Sequence, residues 1–175
     1  MINTMKLFVG LGNPGKAYEN TRHNVGAGFI DYMTKTYNLA YENKFKGKFT
    51  DLTINDEKVL LLKPETYMNK SGDAVIEIVN FYKISLEEIY IVFDDLDILQ
   101  GEYKIQFGKY PKIHNGVNDV IRKTGTDKIN FIRIGVDARN QLERDFIKGS
   151  DYVLQKTDFD FSPIYSEIKC KLLSN

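Results

Sequence analysis

Between Gly10 and Asn24 the chain reads GLGNPGKAYENTRHN, which holds three glycines, Asn13 and the first of only two histidines, His23. Glycines let a backbone approach a ligand closely, and Asn13 and His23 stand on either side of this opening. Gly10, Gly12 and Gly15 formally satisfy G-x-G-x-x-G. A dinucleotide turn, however, needs a helix opening on the last glycine and an acid closing the next strand about twenty residues on. Residues 16–22 show no apolar period and Asp31 falls inside a predicted helix, so nucleotide binding is not indicated. A second group, Asp94, Asp95 and Asp97, follows the apolar run IYIVF at 89–93. Three carboxylates there fit a magnesium site, an acid/base group or a polar turn. Two further polar clusters are Tyr67 to Asn69 and His114 to Asn115.

The missing residue types narrow the chemistry. No cysteine is near these clusters and no serine stands in a G-x-S-x-G elbow, so a covalent acyl-enzyme is not suggested. Two histidines at distant positions argue against a zinc site, with mixed His/Asp ligation left open. What remains is a histidine general base held in one tautomer by a carboxylate and activating water directly. Asparagine side chains would bind the substrate carbonyl and its developing oxyanion, each well-aimed donor lowering the barrier by roughly 3 kcal/mol.

The elements that must position these groups are legible from periodicity. MKLFV (5–9) reads as a strand leading into the first loop. Thr21 is placed to cap a helix with Val25, Phe29, Ile30 and Met33 on its apolar face. Gly26 and Gly28 each weaken that helix by about 1 kcal/mol relative to alanine, which predicts close packing of its first turns against the sheet. GKFTDLTI and EKVLLLK predict a hairpin joined near Asn55 and Asp56 and ended by Pro64. A helical stripe starts around Ser71. IYIVF and FIRIGV (131–136) read as buried strands, EYKIQF (102–107) as a half-exposed one, and 117–123 as a helix. Weak helical patterns follow near 142–147 and 163–173. The fold class is therefore α/β, with a mixed, largely parallel sheet, one antiparallel hairpin and flanking helices. In such sheets ligands bind at the carboxyl ends of strands, so the four polar clusters are expected to converge on one edge.

The chain has 175 residues and reads as one domain, 1–175, large enough to bury a core without staples. Its single cysteine, Cys170, rules out an internal disulfide and points to a reducing cytoplasm. No leader and no membrane span are indicated. A formal net charge of zero argues against coating nucleic acid through bulk charge. A local patch remains: residues 104–128 hold six lysines and arginines against Asp119 and Asp127.

GLGNPGKAYENTRHNVG, KPETYMNKSG, the strand ending in Phe93 before DDLD, and HNG at 114–116 resemble, in this order and spacing, the bacterial peptidyl-tRNA hydrolases. The similarity runs from about residue 5 to 155. The resemblance implies hydrolysis of the ester joining a peptide to the 3′ ribose of tRNA, by a cytoplasmic, largely monomeric enzyme that uses neither metal nor cofactor. It implies His23 as general base and Asp94 as the carboxylate stabilising its proton-accepting form. It also implies Asn13 as the group distinguishing N-blocked from free aminoacyl-tRNA. Tyr18, Tyr67, Met68, Asn69 and Asn115 would line the site for the 3′ end and peptide, and Arg133 would lie near the 5′ phosphate. Departures accompany the match. GKYPKI replaces a glycine-rich loop before HNG and is expected to narrow the approach to Asn115. Gln106 stands at a usually basic position, and Val136, Asp137 and Ala138 follow FIRIG where the family usually has another glycine. The helical region from about 150 is short, as if the closing helix were truncated. These departures motivate an alternative, a divergent relative that binds RNA or an acylated ligand without turnover.

Overall fold

A computed structural model describes residues 4–173. Seven strands form one sheet in the order β2-β3-β4-β1-β5-β7-β6. They are β1 (Met5–Gly10), β2 (Glu42–Lys44), β3 (Gly47–Ile54), β4 (Glu57–Pro64), β5 (Ile89–Leu99), β6 (Tyr103–Phe107) and β7 (Asn130–Asp137). β1 pairs in parallel with β4 and β5, and β5 with β7, whereas β3 and β6 run the other way. The sheet is thus mixed and mostly parallel, as expected. It has two antiparallel pairings beyond the predicted hairpin, β2 with β3 and β6 with β7.

Helices cover both faces, which is why the central strands read as unbroken apolar runs. Leu7, Val9, Leu60, Leu62, Ile91, Phe93 and Phe131 pack on one face with α2 (Ser71–Tyr82) and α3 (Asn115–Thr124). Phe8, Val59, Leu61, Val92, Ile132 and Ile134 pack on the other with α1 (Val25–Thr36) and α6 (Ser162–Leu173). Two short helices, α4 (Gln141–Phe146) and α5 (Gly149–Tyr152), connect β7 to α6. The hairpin joins at Asn55 and Asp56, both at positive φ, where Asn and Asp are tolerated best.

The glycines of α1 divide the work between two partners. A Cβ at Gly26 would collide with the Val92 carbonyl, so α1 does start flush against the sheet. A Cβ at Gly28 would instead strike the Tyr165 hydroxyl of α6. That hydroxyl donates to the Val25 carbonyl at 2.7 Å in a buried position. Over the described residues α6 runs for twelve residues and is docked on α1. Tyr165→Phe keeps the ring and removes this bond. The expected loss is about 1 kcal/mol, a fall in Tm of about 2–4 °C by calorimetry, with turnover unchanged.

Two local expectations are corrected. Thr21 precedes a 3₁₀ turn, Arg22–Asn24, but its hydroxyl donates backwards to the Tyr18 carbonyl at 2.8 Å and caps nothing. β5 does not stop at Phe93 but continues to Leu99, with a bulge against β7 between Asp95 and Leu99. Gly135 makes room for that bulge, since a Cβ there would meet the Leu99 carbonyl.

Candidate active site

Three chain segments meet at Asp94. The first loop leaves β1 and returns through the Arg22–Asn24 turn, which places His23 over β5. The backbone of that turn is held from the far side, where His23 N–H donates to the Val153 carbonyl at 2.7 Å. β6 ends at the opposite edge of the sheet beside Asn130, and residues 108–113 bring the chain back to His114.

His23 Nδ1 lies 2.9 Å from both oxygens of Asp94, and His114 Nε2 lies 2.8 Å from its Oδ1. Asp94 is only 3 % exposed. Burial alone would raise its carboxyl, but the charges and hydrogen bonds of the two histidines outweigh that and hold it far below the ordinary carboxylate range. Burial alone would lower His23, but the charge and hydrogen bond of Asp94 outweigh it and raise its pKa above 6.5. The tautomers follow from the partners. His114 caps α3 by accepting the Val117 N–H on Nδ1, so its proton sits on Nε2 and is donated to Asp94. His23 donates Nδ1–H to the same carboxylate, which leaves its Nε2 as a lone pair.

The other two aspartates take separate roles. Asp95 accepts from Arg133 Nε at 2.7 Å and from the Asp97 N–H, and Asp97 is exposed. Of the three readings left open for this cluster, the acid/base one fits Asp94 alone. His23, Asp94 and His114 are also a group whose ligand atoms all lie within 4.8 Å. Each Asp94-facing nitrogen sits at N–H···O distance, and His114 Nδ1 is occupied by Val117, so the set is built as a hydrogen-bonded triad.

Asn13 is oriented with equal care. Its Oδ1 accepts the Met68 N–H at 2.8 Å, which fixes the orientation of the amide and leaves its Nδ2 donors for a ligand. Met68 is buried in a 3₁₀ turn, Met68–Lys70, with Tyr67 61 % exposed and Asn69 exposed beside it. A Cβ at Gly116 would strike Met68 Sδ, so the glycine of HNG lets α3 close on this turn and sets exposed Asn115 next to it. Tyr18 is half-buried in the 3₁₀ turn Lys16–Tyr18. Arg133 is held apart from the triad, its Nε on Asp95 and its Nη1 on Gln106 at 2.8 Å. In the GKYPKI loop Tyr110 packs on Phe131 and Pro111 is buried, while Lys109, Lys112 and Ile113 stand in solvent. Asp137, where the glycine was missing, is buried and accepts from Arg139 and Arg144.

Comparison with known proteins gives this geometry a family. A family model described as peptidyl-tRNA hydrolase matches residues 7–169. The chain belongs to the peptidyl-tRNA hydrolase family. The peptidyl-tRNA hydrolase of Bacillus cytotoxicus is 45 % identical over 151 residues, covering 86 % of this chain and 79 % of that protein. That of Clostridium novyi is 42 % identical over 165 residues, 94 % of this chain and 85 % of that one. The crystal structure of the Acinetobacter baumannii enzyme superposes with a TM-score of 0.83 at 32 % identity, over 99 % of this chain and 90 % of the other. Members of the family release tRNA from peptidyl-tRNA. As a family member the chain is thus a hydrolase. No helix among its described residues is long and apolar enough to cross a membrane.

His114 is the residue that sequence reasoning missed. It was placed on the right edge, but nothing in its spacing marked it as a second partner of Asp94. The signal available was its position just before a helix, where a side chain that accepts a backbone N–H is favoured.

Proposed function

We propose that this family member cleaves the peptidyl-tRNA ester with His23 as general base, held by Asp94, and no metal in any step. The observation that carries it is the double donation to Asp94, which leaves His23 Nε2 unprotonated and facing outward from the buried carboxylate. His23 Nε2 takes a proton from water, and the hydroxide adds to the ester carbonyl carbon. The tetrahedral oxyanion then collapses, expelling the 3′ ribose oxygen, which recovers the proton from His23. The products are a peptide carboxylate and free tRNA.

Asn13 supplies the discrimination. With its Oδ1 held on the Met68 N–H, the side chain presents its two Nδ2 donors. A peptide carbonyl next to the scissile residue can accept from them, whereas the ammonium of a free aminoacyl-tRNA finds nothing to bond. Asn69 and Asn115 would orient the ester and the 3′ end, and Tyr18, Tyr67 and Met68 would line it. Arg133 would position the 5′ phosphate, with one edge of its guanidinium already committed to Asp95 and Gln106. We read the protein as a monomer of the cytoplasm, a reducing compartment that suits its single exposed cysteine. The non-catalytic alternative has no use for a base and its carboxylate kept at hydrogen-bond distance.

Release of deacylated tRNA from N-acetyl-aminoacyl-tRNA, measured beside free aminoacyl-tRNA, tests the proposal. Cleavage of the blocked substrate alone is the expected outcome. A wild-type protein no faster than spontaneous ester hydrolysis would overturn it.

A further inference from the structure

We infer that Asn24 is a positioning residue that sets Asn13 against His23 and so governs discrimination between blocked and free substrates; this rests on the role given to Asn13 above. Asn24 directly follows the proposed base in the chain. Its side chain makes two opposed bonds to one residue of the first loop: Asn13 N–H donates to Asn24 Oδ1 at 2.9 Å, and Asn24 Nδ2 donates to the Asn13 carbonyl at 2.9 Å. An amide side chain here does what a neighbouring strand would do for the backbone.

Little else fixes this part of the loop. Leu11 is tied to the sheet and to α1 through its N–H on the Val92 carbonyl and its carbonyl under the Ala27 N–H, both at 3.0 Å. Beyond it, a Cβ built on Gly15 would have no atom within 4 Å. A cleft of about 480 Å³ lies beside residues 12–15, lined also by Asn24, Glu19 and Phe161. Asn13 itself is half-buried, and the hydrogen bonds that fix it are the Asn24 clamp and the Met68 N–H. Gly12 belongs to the same device, since a Cβ there would press on the Asn24 amide carbon and on the Ala27 methyl. Two of the three glycines that mimic a nucleotide fingerprint thus have structural partners, Gly10 against the Gly26 carbonyl and Gly12 against Asn24.

Asn24→Asp is nearly isosteric and keeps the acceptor for Asn13 N–H. Its second oxygen then faces the Asn13 carbonyl, and repulsion replaces a hydrogen bond. The loop moves, Asn13 Oδ1 leaves the Met68 N–H, and the amide offers an oxygen to an ammonium as readily as a donor to a carbonyl.

The test measures kcat/KM for N-acetyl-aminoacyl-tRNA and for free aminoacyl-tRNA in wild type, Asn24→Asp, Asn13→Ala and the double variant. The selectivity ratio is expected to fall about ten- to a hundredfold in Asn24→Asp, read well above the acid limb, where a carboxylate added beside His23 does not change the fraction of free base. In the double variant the second change should add nothing to the first. A ratio within twofold of wild type, or effects that multiply in the double variant, overturns the inference. The side-chain amide signals of Asn13 in ¹⁵N spectra read the clamp without turnover. Separate sharp signals in wild type that broaden or shift in Asn24→Asp support it, and unchanged signals overturn it. If the wild type cleaves neither substrate, the proposed function fails, while those spectra still decide whether Asn24 holds Asn13.

Discussion

His23→Ala is expected to lower kcat on N-acetyl-aminoacyl-tRNA by about 10²–10⁴-fold with KM changed by no more than a few-fold, as single-turnover and steady-state rates would show. In the proposed mechanism the ring binds no substrate, because one nitrogen is committed to Asp94 and only Nε2 is left for the attacking water. Its pKa sets the acid limb. Asp94 raises the imidazolium pKa above 6.5 against the opposing effect of burial. A base must be neutral to act, so the wild-type rate should fall as pH drops through a midpoint above 6.5. The sign for stability is opposite. A His whose folded pKa is raised stabilises the fold fully below its unfolded pKa and loses that contribution as pH rises through the folded value. The enzyme therefore works in the range where the His23–Asp94 ion pair no longer adds stability. A variant that keeps more than a tenth of the wild-type kcat would mean that another group takes the proton.

The amino-acid pattern carried the strands, the hairpin turn and both central helices, because two-sided burial writes unbroken apolar runs and Asn55-Asp56 marks a turn with positive φ. It did not carry β2, whose turn into β3 places Phe45 and Lys46 at φ 54° and 55°. Neither residue signals such a turn, so tertiary packing decides it: Phe45 stacks edge-on against Phe49 and Phe81. The end of β5 was hidden for a different reason. Three aspartates in four residues look like a turn by composition, whereas here Asp94 and Asp95 are buried and each is hydrogen-bonded by side chains distant in sequence. His23, Asp94 and Asn13 were legible because their types fit one chemistry and the family motifs named them. The bonds that orient them, from His114, Met68 and Asn24, are pairings between loops, and no local pattern records such pairings.

Asp94→Asn should be as damaging as loss of the base, with kcat lower by about 10⁴-fold, and the cause lies in His114. His114 donates its N–H to Asp94 Oδ1, and His23 Nδ1–H is shared between Oδ1 and Oδ2 at 2.9 Å from each. An asparagine has one oxygen and one NH₂. His114 cannot change tautomer without giving up the Val117 N–H that it accepts at the start of α3, so it claims the amide oxygen. The NH₂ then faces His23 Nδ1, which must become an acceptor, and the His23 proton moves to Nε2. The base is still in place but carries a proton where its lone pair should be. The acid limb should also move to lower pH, since the charge that raised His23 is gone while its burial remains. His114→Ala in the Asp94→Asn background leaves the amide oxygen free for His23 Nδ1–H. The double variant is therefore expected to regain about tenfold in kcat over Asp94→Asn alone, a reversal of about 1.4 kcal/mol. ¹⁵N shifts of the His23 ring should show Nδ1 protonated in wild type and in the double variant, and Nε2 protonated in Asp94→Asn. If His114→Ala instead lowers kcat further and the tautomer of His23 stays the same throughout, Asp94 acts only as a charge.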